Sequence, residues 1–226
     1  MFVKICGITT EEDALVSVAM GADALGFNFV PGSVRQLSPT AARDIVRRLP
    51  AGVLAVGIFR NELPQRVVDI VNEVGLGAAQ LHGRESTQDT RFIAERIQTV
   101  IKAFVAGDRS LDRLADYGAS AVLIDAPEPG SGQVFDWSVL DGRERGLPFL
   151  LAGGLNPDNV AAAITAARPW GVDVASGVES APGRKDPTLV RSFVAAARQA
   201  SAQLGLEPEE IFVDLDSPRP YDWRDE

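Results

Sequence analysis

Short apolar runs alternate with longer amphipathic stretches from residue 1 to about residue 206. The runs are rich in Val, Ile, Leu and Phe, and each has the length of a strand buried in a parallel sheet. Eight runs are predicted as strands: 2–6, 24–29, 53–59, 78–81, 99–104, 121–125, 148–152 and 172–176. The amphipathic stretches between them predict helices, so the chain is a repeat of strand–helix units.

Several predicted helices begin at recognisable capping residues. In three places an Asn, Asp or Ser stands directly before a proline, which is favoured at the first position of a helix. These pairs are Ser38–Pro39, Asn156–Pro157 and Asp186–Pro187. Thr10, followed by Asp13, is a fourth candidate for an N-cap.

Eight units in roughly 200 residues leave about 25 residues for each, which is close to the lower bound for a (β/α)8 barrel. The competing architecture is an open, doubly wound sheet. No predicted strand is followed by GxGxxG or by a P-loop, which such sheets often carry. The pattern therefore favours an α/β fold, a single TIM barrel formed by residues 1–206, in one domain.

The last twenty residues, 207–226, differ from the rest. They contain eight acidic residues, two arginines and three prolines, and they show no period beyond the short run IFV. We expect an acidic C-terminal tail that is disordered or laid on the surface.

Composition narrows the possible functions. The 226 residues carry a formal net charge of −9, and 46% of them are hydrophobic, which is typical of a soluble globular protein. The acidic balance argues against nucleic acid as a partner. No apolar run is long enough to span a membrane, and the N-terminus has neither a basic leader nor a cleavage site. We therefore expect a cytoplasmic protein with no membrane partner.

The chain has one cysteine, Cys6, and one histidine, His82. A single cysteine excludes an internal disulfide and a cysteine zinc cluster. We expect no metal site.

In a barrel of this kind the chemistry lies where strands end and the following loops begin. Polar residues stand at several of these ends: strand 1 ends in Cys6, strand 4 runs into His82 and strand 6 ends in Asp125. Strand 8 carries Asp173 and then Ser176–Gly177. Each also has an ordinary structural interpretation, because a lone cysteine packs as a small hydrophobe and an aspartate or histidine can shape a turn. Their convergence on one rim favours a functional site.

Side chains two residues apart share one face of a strand. If Cys6 points into the barrel mouth, Lys4 lies one layer deeper, where its ammonium group needs an acidic partner. Strand 8 neighbours strand 1 in a closed barrel, so Asp173 is the expected partner. The pair could order the core or contact substrate directly, and Lys102 is a candidate third member of the group.

Two glycine-containing loops predict a phosphate site. Gly153–Gly154 follows strand 7 and Ser176–Gly177 follows strand 8, which are the two places where barrels commonly bind phosphate. Backbone without Cβ allows N–H groups to approach the anion closely. Two tight turns are the alternative.

Two further loops face the same mouth. Arg35, in the long loop after strand 2, can bind a planar carboxylate through the two-pronged edge of its guanidinium group. Residues 130–137, GSGQVFDW, are rich enough in glycine to form a movable lid over the reaction.

Six blocks of the sequence resemble the signature blocks of the phosphoribosylanthranilate isomerase family. They are KICGIT (4–9), GADALGFNFVPGSVRQLSP (21–39), QLHG (80–83), GSGQVFDW (130–137), LAGGLNPDNV (151–160) and VDVASGVESAPGRKD (172–186). The resemblance implies a TIM barrel that converts N-(5-phosphoribosyl)anthranilate to 1-(2-carboxyphenylamino)-1-deoxyribulose 5-phosphate by an Amadori rearrangement, in tryptophan biosynthesis.

The resemblance also implies the roles of individual residues. Cys6 matches the general base and Asp125 the general acid. Substrate-binding positions fall on Arg35, which faces the anthranilate carboxylate, and on His82 and Asp173; phosphate-binding positions fall on Gly153, Gly154, Ser176 and Gly177. No cofactor is implied, the partner is a phosphorylated small molecule, and we expect a monomer in preference to a homodimer.

The loop after strand 2 departs from the family pattern. It reads SVRQLSP (33–39), without the usual proline before the arginine and the usual aromatic residue after it. Asn28 stands where an aliphatic residue is commoner, and its amide needs hydrogen-bond partners inside the barrel.

Three other functions remain open on the sequence. The aminoaldose isomerase of histidine biosynthesis performs the same rearrangement. Members of that family look like they use an aspartate at the position where this chain has Cys6. A bifunctional isomerase would need a more open mouth. A non-enzymatic sensor of phosphorylated ligands needs neither Cys6 nor Asp125.

Overall fold

The computed structural model describes residues 1–126 and 146–206. Eight parallel strands form a closed barrel in which each strand pairs with its neighbours in sequence and β8 pairs with β1. The strands are β1 (Phe2–Cys6), β2 (Ala24–Asn28), β3 (Leu54–Phe59), β4 (Ala78–Leu81), β5 (Thr99–Val105), β6 (Ala121–Asp125), β7 (Phe149–Leu151) and β8 (Gly171–Val174). The predicted TIM barrel is confirmed, and the predicted strand ends are correct to within two residues.

Helices lie between the strands and after the last one. They are α1 (Glu11–Ala19), α2 (Pro39–Val46), α3 (Pro64–Val74), α4 (Thr87–Ala94), α5 (Val160–Ala167) and α6 (Pro187–Gln203). Between β5 and β6 the chain forms 3₁₀ turns over Arg109–Tyr117 in place of an α-helix. In the described ranges, none of the helices combines the length and the apolar character that crossing a membrane requires.

Three of the four predicted N-caps are confirmed. Thr10, Ser38 and Asp186 each accept hydrogen bonds from backbone N–H groups in the first turn of the helix that follows. The prediction for Asn156 is wrong. Its side chain accepts from the N–H groups of Asp158 and Asn159, which forms a turn, and α5 begins only at Val160 because that turn delays the helix.

The barrel has an interior and an outer layer, and strand alternation assigns residues to them. One apolar cluster fills the interior and includes Ala24, Val56, Ala78, Ile101 and Leu123. The larger cluster lies between strands and helices. Alternation therefore decides which polar residues face the barrel axis.

A short hairpin follows β8, where the sequence pattern shows no strands. A 3₁₀ turn at Ser176–Val178 leads into β9 (Glu179–Ala181), which pairs antiparallel with β10 (Arg184–Lys185). The sequence pattern predicts a strand over 172–176, but β8 ends at Val174. Ser176 therefore lies in the turn that follows the strand. The predicted lid, 130–137, and the predicted tail, 207–226, lie outside the described residues.

Candidate active site

Polar side chains face the interior at the carboxyl ends of several strands. Counting in steps of two from the interior apolar residues, Lys4 and Cys6 on β1, Asp125 on β6 and Asp173 on β8 all point toward the barrel axis. His82 follows β4 in the same alternation. The structure thus brings the predicted strand-end residues to one mouth.

Lys4 and Asp173 form the predicted buried ion pair. They are register partners of β1 and β8, and Nζ of Lys4 donates to Oδ1 of Asp173 over 2.7 Å. Lys4 is fully buried. Burial by itself lowers the pKa of Lys4, but Asp173 and Cys6 outweigh that effect and raise it above the ordinary lysine value. Lys4 is therefore a fixed positive charge beneath the mouth.

The Cys6 thiol lies above Lys4 at the end of β1. Burial raises the pKa of Cys6, and the positive charges of Lys4 and Lys185 act in the opposite direction without cancelling it. The neighbouring strand makes room for the thiol at Gly26, where a Cβ would stand 2.8 Å from Sγ. Cys6 as a whole residue is half-buried.

Asp125 is joined to His82 and Gln80 by a chain of hydrogen bonds. Nε2 of His82 lies 3.1 Å from Oδ2 of Asp125, and Nδ1 of His82 lies 2.9 Å from Nε2 of Gln80. The other carboxyl oxygen, Oδ1, accepts from the backbone N–H of Ala126 at 2.7 Å. The carboxyl group is buried, and these bonds fix its orientation.

Lys102 does not belong to the group around Lys4, contrary to the sequence prediction. It lies between Ile101 and Ala103, which face the interior, so strand alternation turns it toward the outer layer. There its Nζ lies 3.0 Å from Oε2 of Glu85. Burial lowers the pKa of Lys102, while the pKa of Glu85, which burial alone would raise, is lowered by Lys102 and by backbone N–H groups.

The Lys102–Glu85 pair holds the loop that carries His82. Nζ of Lys102 donates to the carbonyl oxygens of Leu81 and Gly83, the residues on either side of His82. Glu85 accepts from the backbone N–H groups of Asn61 and Gly83. The pair therefore sets the position of the His82 backbone from outside the barrel.

Arg35 is placed at the mouth, and its guanidinium group already has a carboxylate partner. Nε and Nη2 donate to the two carboxyl oxygens of Glu179 over 2.8 and 2.6 Å. Oε1 of Glu179 also accepts from Nζ of Lys185 at 2.8 Å. Burial alone would raise the pKa of Glu179, but Arg35 and Lys185 outweigh it and lower the pKa. The sequence predicts that the two-pronged edge of Arg35 is free to bind a ligand carboxylate. This prediction is wrong for the Nε–Nη2 edge, which Glu179 occupies.

Hydrogen bonds from Asn28 and Ser33 support the Arg35 loop. Nδ2 of Asn28 donates to Oγ of Ser33, and its Oδ1 accepts from the N–H of Val30. Oγ of Ser33 also accepts from the N–H of Arg35. The partners that Asn28 needs are thus loop residues and not residues of the barrel interior. The stem of Arg35 passes over Gly7, where a Cβ would collide with Cδ of Arg35.

The two glycine loops meet backbone to backbone. A Cβ at Gly177 would collide with the carbonyl oxygen of Leu155, and one at Gly153 would collide with Ala126. Gly153 and Gly154 both have positive φ, at 86° and 63°. Ser176 is exposed beside Gly177. The predicted phosphate residues are therefore adjacent, on the side of the mouth formed by β7 and β8.

Sequence reasoning assigned no role to Glu85, Glu179, Lys185 or Gln80. Gln80 had a readable signal, because a polar residue inside the buried strand AAQL needs a partner. Glu179 and Lys185 lie in a short hairpin with no strand pattern, so no local signal identifies them. In residues 1–126 and 146–206, no three or more His, Cys, Asp or Glu side chains are grouped to hold a metal ion.

Comparisons with known proteins agree with this architecture. The family model N-(5'-phosphoribosyl)anthranilate (PRA) isomerase matches residues 3–196. The N-(5'-phosphoribosyl)anthranilate isomerase of Desulforudis audaxviator is 49% identical over 205 residues, covering 88% of this chain and 98% of that protein.

Two solved structures are similar over 88% of this chain and 99% of theirs. One is a phosphoribosyl anthranilate isomerase in complex with reduced 1-(o-carboxyphenylamino)-1-deoxyribulose 5-phosphate, with 46% identity and a TM-score of 0.80. The other, of monomers generated from the dimeric enzyme of Thermotoga maritima, has 45% identity and a TM-score of 0.80.

Proposed function

The chain belongs to the N-(5'-phosphoribosyl)anthranilate isomerase family, and from that premise we propose which of its residues carry out the reaction. The protein converts N-(5'-phosphoribosyl)anthranilate to 1-(2-carboxyphenylamino)-1-deoxyribulose 5-phosphate, an Amadori rearrangement of tryptophan biosynthesis. The rearrangement needs an acid that protonates the ribose ring oxygen and a base that removes the proton from C2′.

Asp125 is the general acid and Cys6 the general base. The observation that carries this proposal is that a carboxyl group on β6 and a thiol on β1 face the interior at the same end of the barrel. The two strands are separated by β7 and β8, so substrate bound in the mouth lies between the two groups. An acid and a base on opposite sides of the sugar are what the reaction requires.

The proton movements balance without any other reactant. Asp125 gives a proton to the ring oxygen, the bond between that oxygen and C1′ breaks, and the ring opens to a protonated Schiff base. The Cys6 thiolate removes the C2′ proton, and the electron pair moves into the C1′–C2′ bond to form an enolamine. Tautomerisation moves the proton of the C2′ hydroxyl group to C1′ and gives the ketone product. The proton that Cys6 gained returns to the Asp125 carboxylate through solvent, so both groups are ready for the next turnover. Lys4, which holds its charge beneath Cys6, favours the thiolate.

Substrate is anchored at both ends of the mouth. Arg35 binds the anthranilate carboxylate through its Nη1–Nη2 edge, because Glu179 occupies the Nε–Nη2 edge. The backbone around Gly153, Gly154, Ser176 and Gly177 binds the phosphate, because the loops after β7 and β8 lie against each other on one side of the mouth. His82 and Asp173 contact the ribose part of the substrate.

The test is to generate phosphoribosylanthranilate in situ and to follow the loss of its fluorescence on adding the protein, with the ketone product identified by mass and chromatography. We expect loss of fluorescence in proportion to protein concentration. The aminoaldose substrate of histidine biosynthesis, offered in parallel, distinguishes a bifunctional enzyme. Binding of the product analogue without turnover of either substrate would instead indicate a sensor.

We further propose that the catalytic unit is residues 1–206, acting as a monomer in the cytoplasm. In support of the monomer, the described residues include three exposed large hydrophobic side chains, Leu15, Val34 and Leu63, which belong to three different segments of the chain. Light scattering coupled to size-exclusion chromatography tests this proposal, and a mass of twice 24.1 kDa would contradict it.

A further inference from the structure

We propose that Gln80 is a positioning residue, which fixes the tautomer of His82 so that the imidazole ring donates a hydrogen bond to Asp125. The inference deepens the proposed function, because it concerns how the proposed general acid is supported. It assigns a role to a buried amide that the reaction scheme does not otherwise use.

Gln80 lies two residues before His82 on β4, so both side chains face the barrel interior, and Ala78 lies one layer below them. The Gln80 side chain is fully buried. Its Nε2 lies 2.9 Å from Nδ1 of His82, and Nε2 of His82 lies 3.1 Å from Oδ2 of Asp125. The three residues form one continuous chain of contacts from the interior of the barrel to the mouth.

The chemistry of these groups determines which atom donates and which accepts in each of these hydrogen bonds. An amide nitrogen only donates, so Nδ1 of His82 must accept. A neutral imidazole with an accepting Nδ1 carries its proton on Nε2, which then donates to Oδ2 of Asp125. Oδ1 of Asp125 accepts from the N–H of Ala126. Both carboxyl oxygens therefore accept, which suits the carboxylate that Asp125 becomes after it protonates the ribose ring oxygen.

Packing alone does not account for an amide at this position. Within the described part of the chain, Oε1 of Gln80 is buried and accepts no hydrogen bond. A buried unpaired acceptor destabilises the fold, and an aliphatic residue would fill the same space without that cost. The contact with His82 is the one favourable polar interaction of this side chain among those the structure shows, and it is directed at the reaction site.

The protein's single histidine allows a direct test by NMR. With ¹⁵N-labelled histidine, every imidazole signal belongs to His82. We expect the neutral ring in the parent protein to be protonated at Nε2 and unprotonated at Nδ1, and Gln80→Met to give a mixture of tautomers. A parent ring protonated at Nδ1 would overturn the proposal. This measurement is independent of the proposed function, which fails separately if the parent protein does not turn over phosphoribosylanthranilate.

Kinetics test the same inference in the active enzyme. We expect Gln80→Met to lower kcat about tenfold with a much smaller change in KM, because the amide supports the acid and does not touch substrate. In a His82→Ala background the same change should have no further effect, since Gln80 acts through His82. Additive losses in the double variant would contradict this.

Leu54→Ala is the matched control for lost stability, because Leu54 is buried in the interior cluster on β3 and takes no part in the chain of contacts. We expect it to lower the melting temperature without changing kcat at a temperature where the protein is folded. Equal losses of kcat in Leu54→Ala and Gln80→Met would show that Gln80 is structural only.

Discussion

Lys4 on β1 and Asp173 on β8 are register partners across the seam that closes the barrel, and their side chains form a buried ion pair of 2.7 Å. The positive charge of the same lysine acts to lower the pKa of the Cys6 thiol. The buried charge of Lys4 thus has two effects: it pairs the strands that close the barrel, and it acts on the proposed base.

This arrangement predicts how the protein responds to pH. Burial raises the pKa of Cys6, so the thiolate fraction, and with it kcat/KM, should increase from neutral into alkaline pH. Replacing the pair with Lys4→Met and Asp173→Asn should move thiolate formation to higher pH, because Lys4 lowers this pKa more than Asp173 raises it. Cys6 is the single cysteine, so thiolate absorbance measures its titration directly. A shift to lower pH would contradict this account.

We predict that Cys6→Ser and Asp125→Asn each remove nearly all turnover. A serine hydroxyl is too weakly acidic to act as the base at neutral pH, and an asparagine amide cannot deliver a proton. Affinity for the product analogue should survive, since the proposed anchors, Arg35 and the two glycine loops, are unchanged. Fluorescence loss at saturating substrate and calorimetry with the analogue are the measurements. Parent-like kcat in both variants would remove the catalytic assignment.

We predict that Arg35→Ala raises KM about tenfold or more and changes kcat less, because a charge-assisted bond to the carboxylate contributes about 1.5 to 3 kcal/mol. The control is Glu179→Gln, which keeps the guanidinium group but removes its carboxylate partner. Glu179→Gln should raise KM less than Arg35→Ala does, because the guanidinium group, with Lys185 beside it, remains to bind the ligand carboxylate. An unchanged KM with a collapsed kcat in Arg35→Ala would contradict the placement of the carboxylate.

We predict that Lys102→Met lowers the melting temperature by roughly 10 °C, because removing one partner of a buried ion pair costs about 3 to 5 kcal/mol. Lys102→Met combined with Glu85→Gln should recover part of the loss, which calorimetry measures. The pKa of Glu85 lies below its ordinary value in the folded state, so the contribution of its carboxylate to stability is fully present above that ordinary value and is lost as pH falls through the lower, folded-state value. No recovery in the double variant would show that the two side chains are not coupled.

Deleting residues 207–226 should leave activity and melting temperature nearly unchanged, because β8 already pairs with β1 and α6 ends at Gln203. The competing outcome is that aromatic residues of this segment pack on the barrel; the candidates are Phe212, Tyr221 and Trp223. Docking of even two of them on the barrel would contribute about 2 to 4 kcal/mol. A drop of several degrees in the melting temperature on truncation would therefore show that the tail is structural.

The sequence by itself determined the barrel and the residues that meet at its mouth. Eight apolar runs of strand length predict the fold, because burial on both faces of a parallel strand is a local property of the chain. The alternation of faces also predicts the Lys4–Asp173 pair, since strands 1 and 8 must be neighbours in any closed barrel.

Only the tertiary structure decided the partners of Lys102, Arg35 and His82. The face that Lys102 presents depends on which residues of β5 point inward, and a strand with apolar residues on both faces, such as TVIKAF, does not reveal this. Glu179 reaches Arg35 across 144 positions of sequence because the hairpin after β8 folds over the mouth. The loop that carries His82 is held by hydrogen bonds from Lys102 to backbone carbonyl groups. Every residue has such a group, so the sequence does not show which residues accept these bonds. Local periodicity sets elements and faces, whereas the pairing of charges depends on the paths of loops that no period describes.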